Sequence, residues 1–208
     1  MCTCKLSLAG PAAAGKTTVA RLAPGYYPVE AEECWGQPPG VERQECFLRV
    51  FRSRIVRAPP GAVLDNSLLS VYGYSMAMGL PDLAREALEL WERLEPATVL
   101  LVPPSPRVLE ARLERRLAVE EGRRGNAVEE MVGLHWRAMR YMYRVARGTH
   151  VPVVVSTGPP EFVLLAVSLA AEAAYPECAR LARRLAEKAR RMLAGVSVDA
   201  GGEALEAG

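Results

Sequence analysis

One nine-residue stretch constrains this chain more than any other. Gly10-Pro11-Ala12-Ala13-Ala14-Gly15-Lys16-Thr17-Thr18 satisfies G-x-x-x-x-G-K-[ST], directly after a short apolar run (5–9) and ahead of helical spacing (16–22). The glycines let the backbone curl so that successive N–H groups converge on phosphate oxygens, and the helix adds the positive end of its dipole. Lys16 is then placed to bridge the β- and γ-phosphates of a nucleoside triphosphate, and the Thr17 hydroxyl to hold Mg²⁺. The motif by itself specifies triphosphate binding and leaves open the use to which the triphosphate is put.

Further apolar runs at 26–30, 62–64, 97–102 and 151–155 alternate with helical spacing at 41–56, 81–94, 106–121, 127–147 and 160–174. On 41–56, Phe47, Val50, Phe51 and Ile55 make one face. The strands are continuous apolar runs, as strands covered on both sides are. The expectation is an α/β fold of three layers, with helices on either side of a five-stranded parallel sheet. Residues 34–40, rich in Gly and Pro, read as a loop. The domain spans 1–175. An Arg-rich helix over 176–194 comes next, with the pattern of a docking or dimer-packing element, and 195–208 is small, polar and expected to be a disordered tail.

Half of the 208 residues are hydrophobic and 24% are charged, which fills one core and excludes collagen-like and wholly disordered chains. A formal charge of +2 argues for neither nucleic acid nor membrane as partner. The longest apolar run, 162–171, is about half of what a bilayer needs. Five cysteines, an odd number without a CxxC pair, and two distant histidines argue against a zinc site and against a disulfide framework. With no basic segment ahead of an apolar one at the start, the reading is a soluble protein of a reducing compartment, the cytoplasm.

Only three of the 26 basic residues are lysines and only three of the 24 acids are aspartates, so a Lys or Asp here is seldom surface filler. Asp65 closes the 62–64 run, where a carboxylate reaches bound phosphates and, with Thr17, a metal ion. His135 and His150 lie in no motif and read as structural.

The order of these pieces resembles the thymidylate kinases, within the nucleoside and nucleotide monophosphate kinases. Their D-R-Y/F-x-x-S-x-x-A-Y segment has its counterpart in Asp65-Asn66-Ser67-Leu68-Leu69-Ser70-Val71-Tyr72-Gly73-Tyr74, closed by Gly79-Leu80-Pro81. Their S-P-x-x-x-x-x-R-x-x-x-R is matched by Ser105-Pro106 leading to Arg112, Arg115 and Arg116, and a late Y-x-x-L-A is echoed at 141–146. The resemblance covers about residues 5–170. It implies a P-loop kinase fold, ATP and Mg²⁺, and transfer of the γ-phosphoryl group to a small acceptor. It implies a helical lid at about 107–126, with Arg112 and Arg116 beside Lys16 and Asp65 in catalysis. Arg115 would join the loop residues in holding ATP, with Arg123 and Arg124 behind, and dimers are common in the family.

The acceptor side would draw on Arg52, Asn66, Ser70 and Tyr74. Here the chain departs from the pattern. The family arginine after the aspartate is Asn66, the acid or arginine usual within the loop is replaced by Ala12, Ala13 and Ala14, and the R-E-P-G loop survives only as residues 35–40. A nucleotide or nucleoside acceptor leads. A non-nucleotide acceptor, or a regulatory module that binds ATP without transferring it, stands beside it.

Overall fold

The computed structural model describes residues 4–29, 31–95, 97–120 and 126–202. Five strands form one all-parallel sheet in the order β2-β3-β1-β4-β5: β1 (Leu6–Ala9), β2 (Tyr26–Tyr27), β3 (Val63–Leu64), β4 (Ala97–Val102) and β5 (Val153–Val155). β1 lies in the middle, with Leu6 opposite both Val63 and Ala97. Nine helices accompany them among the described residues: α1 (Lys16–Leu22), α2 (Glu32–Trp35), α3 (Val41–Arg57), α4 (Leu68–Ala77), α5 (Pro81–Leu94), α6 (Pro106–Glu120), α7 (Asn126–Gly148), α8 (Pro160–Ala174) and α9 (Ala179–Gly202).

Period-two alternation sends the side chains of the inner strands into two separate cores, while the edge strand β5 buries only Val154. Leu6 and Leu8 of β1, with Val99 and Leu101 of β4, pack against α1, α8 and α9. Ala9, Leu64 and Leu100 face the other way, onto α3, α4, α5 and α7. Both faces are covered, which is why the strands carry almost no exposed polar positions. Every loop leaving a strand in the forward direction emerges at one edge, where open α/β sheets take their ligands.

The alternation of strands and helices agrees with the expectation, and the departures have physical reasons. α2 occupies part of the stretch read as loop. α4 has no counterpart in the periodicity because it is apolar nearly all round: Leu68, Leu69, Val71, Gly73 and Ser75 are all buried. Its neighbour α7 presses in so closely that a Cβ on Gly73 would meet the Ala138 carbonyl oxygen at 2.7 Å. α9 runs on to Gly202, past the helix end at about 194 read from the sequence, because extending a formed helix adds a hydrogen bond for each residue fixed. Residues 203–208 lie outside the described residues, as do Arg123 and Arg124.

The cysteines depart from the expectation of no disulfide framework. Cys4, ahead of β1, is bonded to Cys178, beside α9, with Cα atoms 5.3 Å apart, and Cys34 of α2 to Cys46 of α3 at 5.5 Å. The partners of the first pair are 174 residues apart in sequence, so no local spacing announces it. Paired cysteines do not match the reducing compartment read from the sequence, although intracellular proteins of hyperthermophiles are an exception to that rule. No described helix is long and apolar enough to cross a membrane.

Candidate functional site

The loop after β1 needs its glycines. Gly10 has φ 144° and Gly15 φ 94°, and a Cβ at Gly10 would meet the Leu101 carbonyl oxygen of β4 at 2.5 Å. Ala13, between them, takes φ 59°, a left-handed conformation that strains a non-glycine residue. Gly15 is the N-cap of α1 and offers no side chain to its first turn. Thr17 and Thr18 stand exposed at that turn.

Lys16 reaches back over this loop and donates from Nζ to the carbonyls of Gly10 (2.9 Å) and Pro11 (2.8 Å). Burial lowers its pKa to about 8; the Asp65 carboxylate opposes the shift and the Arg116 guanidinium adds to it. All three charges therefore share one small region. Asp65 comes directly after β3, the strand beside β1, and is 5% exposed. Its Oδ1 accepts the Val29 N–H at 2.8 Å, and its Oδ2 accepts from the Tyr26 hydroxyl at 3.4 Å.

The loop is braced from three sides. From beyond β5, the Ser156 hydroxyl donates to the Ala14 carbonyl at 2.8 Å. Arg112 of α6 donates to Ser156 Oγ at 3.2 Å and to its carbonyl at 3.0 Å. From α4, Ser70 Oγ accepts the Gly10 N–H at 3.4 Å, and one turn further the Tyr74 hydroxyl accepts the Ala12 N–H at 2.8 Å. From α7, His135 Nδ1 meets that same hydroxyl at 2.6 Å. Burial, Lys16 and Arg116 lower the His135 pKa to about 4, so the ring is neutral; burial also drives the Tyr74 hydroxyl well above its usual range.

The sequence-derived site residues thus fall into two groups. Gly10 to Thr18, Asp65, Ser70, Tyr74, Arg112 and Arg116 converge on the loop, with Arg112 and Tyr74 committing their polar atoms to the loop's supports. Asn66 lies beside Asp65, its Oδ1 accepting the Ser67 N–H at 3.1 Å. Arg115 is exposed on α6. Arg52 points elsewhere: with Arg49 and Arg57 it lines an open groove of about 570 Å³ between α3 and α5.

Three participants had no sequence signal of their own. His135 sits within a helical run, Ser156 is one polar residue after an apolar strand, and Glu95 falls between the 81–94 helix and the 97–102 strand. Glu95 Oε1 accepts the Leu68 N–H at 2.6 Å, so that carboxyl and the Ser67 hydroxyl together cap α4, the helix that carries Ser70 and Tyr74. Only the position of Ser156 at the sheet's ligand edge was available as a hint.

The oxygen donors on offer for a divalent cation are the exposed Thr17 hydroxyl and the Asp65 carboxylate, the latter already accepting from Val29 and Tyr26. Both are hard oxygen donors of the kind Mg²⁺ takes while keeping its remaining positions for water and phosphate. In donor chemistry the two residues suit that ion. No protein-family model matches the chain, and a search of curated proteins returned no significant match.

Proposed function

We propose that this chain is an ATP-dependent phosphotransferase similar to the thymidylate kinases, moving the γ-phosphoryl group of ATP to a small acceptor, with nucleotides and nucleosides first. The observation that carries the reading is Lys16. A half-buried cation is folded onto two backbone carbonyls of a glycine-hinged loop, in the field of the carboxylate that follows the neighbouring strand. Carbonyls are weak partners for an ammonium group, and phosphate oxygens are strong ones. A triphosphate entering the loop would draw Nζ outward and meet the N–H groups of residues 13–17.

Phosphoryl transfer needs positioning and positive charge more than covalent chemistry. Lys16 and Arg116 supply the charge, Arg116 lying near enough to Lys16 to lower its pKa. Asp65 orients the acceptor hydroxyl or takes up its proton. Mg²⁺, held by Thr17 and Asp65, would supply charge neutralisation on the phosphates when bound. Arg112 keeps the loop in shape through Ser156. The sheet order also suits a P-loop kinase fold, because it sets the loop after β1 next to the acid after β3.

The test is acceptor-dependent ADP release with ATP and Mg²⁺ across dTMP, dUMP, other nucleoside monophosphates, deoxynucleosides and non-nucleotide alcohols. Lys16→Ala runs beside the wild type, because a contaminating kinase survives that change. Turnover with one acceptor class, lost by at least about 100-fold in Lys16→Ala, is the expected result. ATP binding with no turnover on any acceptor would sink the kinase reading and favour a regulatory module.

A further inference from the structure

The strained apex of the loop is held from outside it. Ala12 precedes the left-handed Ala13, and its N–H is taken by the Tyr74 hydroxyl at 2.8 Å, not by another loop group. That hydroxyl carries one hydrogen, and His135 Nδ1, 2.6 Å away, is its second partner. If Tyr74 donates to Nδ1, one polar group is left over, the Nε2–H. If instead Nδ1–H donates to Tyr74, both the phenol hydrogen and the Nε2 lone pair are left over. The first arrangement is favoured, and it fixes the phenol so that its free lone pair faces Ala12.

His135 Nε2 is buried without a hydrogen-bond partner, in a residue 8% exposed. An unmatched buried donor costs about 1–3 kcal/mol, and an apolar side chain would avoid that. Stability alone therefore does not account for a histidine here; the use of Nδ1 does. The two rings meet edge to face, 5.3 Å between centroids at 87°, so packing on α4 and α7 locks both partners.

We propose that His135, acting through Tyr74, is a positioning residue that fixes the loop apex in its phosphate-receiving conformation before any nucleotide arrives. The inference rests on the triphosphate-site reading but not on phosphoryl transfer. His135 orients the tyrosine, the tyrosine holds the Ala12 N–H, and the N–H groups further along the loop keep their convergent direction.

Three measurements on the full chain test it. In calorimetric titration with ATP and Mg²⁺, Tyr74→Phe and His135→Leu each weaken binding by about 5–20-fold. His135→Asn, whose Oδ1 replaces Nδ1 as acceptor, stays within about threefold of wild type. The double variant is no weaker than Tyr74→Phe alone, because both changes remove one connected unit. The melting temperature of His135→Leu is equal to or above that of wild type, which a purely structural histidine would not allow. Wild-type affinity in His135→Leu, or a double variant that multiplies the two losses, overturns the proposal. Hydrogen exchange at the Ala12 amide needs no ligand: it speeds about tenfold or more in Tyr74→Phe and His135→Leu and is retained in His135→Asn. If wild type fails to bind ATP, the triphosphate reading falls, while unchanged exchange at Ala12 is what defeats the latch.

Discussion

Lys16 carries a proton that it holds less tightly than an exposed lysine does, since burial outweighs the help of Asp65 and brings it to about 8. A polyphosphate beside Nζ restores the preference for the charged form, so nucleotide binding takes up a proton wherever free Lys16 has lost one. Affinity is therefore full below about pH 7 and falls as pH rises through 8. With the bound lysine back at its ordinary value, ATP binds about tenfold more weakly at pH 9 than at pH 7. Titrations from pH 6.5 to 9.5 measure this, and a flat profile would place Lys16 away from the phosphates. At this scale Lys16 and Asp65 were legible in the sequence, because each type is rare in this chain, Lys16 closes the glycine motif and Asp65 stands at a strand end. His135 was not, because nothing local distinguishes a helix-face histidine that meets a tyrosine 61 residues away.

α4 depends on a buried acid for its start. Its Ser67 cap accepts the Leu69 N–H at 3.1 Å, and Glu95 accepts the Leu68 N–H. Burial raises the Glu95 pKa to about 7 against the favourable pull of Ser7, Leu68 and Ser67. A raised acid pKa means that the folded state binds more protons than the unfolded one between about 4.5 and 7, so this residue's contribution falls as pH rises across that window. Glu95→Gln keeps the carbonyl that accepts from Leu68 and carries no charge. It stabilises the fold by about 2–3 kcal/mol at pH 8, and the gain vanishes near pH 4.5. Denaturant melts at the two pH values check this; equal stability of the two proteins at pH 8 would contradict it. The helix itself escaped the sequence reading because a helix wrapped on every side has no polar stripe to set its period.

The two disulfides act at the scale of the molecule. Cys4–Cys178 ties the head of the central strand to the helix pair that covers one core, across 174 residues of chain. Loop-closure entropy and the usual range for native bonds put its contribution at about 2–4 kcal/mol. Cys178→Ser therefore melts about 5–10 °C below wild type without reductant. With both proteins reduced the difference shrinks to the cost of a buried hydroxyl. A Cys178→Ser protein that melts with unreduced wild type would mean that the bond contributes nothing.

Strand, glycine loop and helix were determined by the sequence alone, since the chemistry of G-x-x-x-x-G-K-T is local: backbone freedom, one lysine, one hydroxyl. The five strands and the covered parallel sheet were legible too, because continuous apolar runs separated by amphipathic ones admit few other arrangements. The tertiary structure alone decided which residues meet the loop. It brought Tyr74, His135, Ser156 and Arg112 to it from four separate segments and turned Arg52 away toward the groove between α3 and α5. It paired cysteines that no spacing connects. Those choices depend on how helices pack across a sheet, and hydrogen bonds and disulfides between distant segments leave no period in the chain.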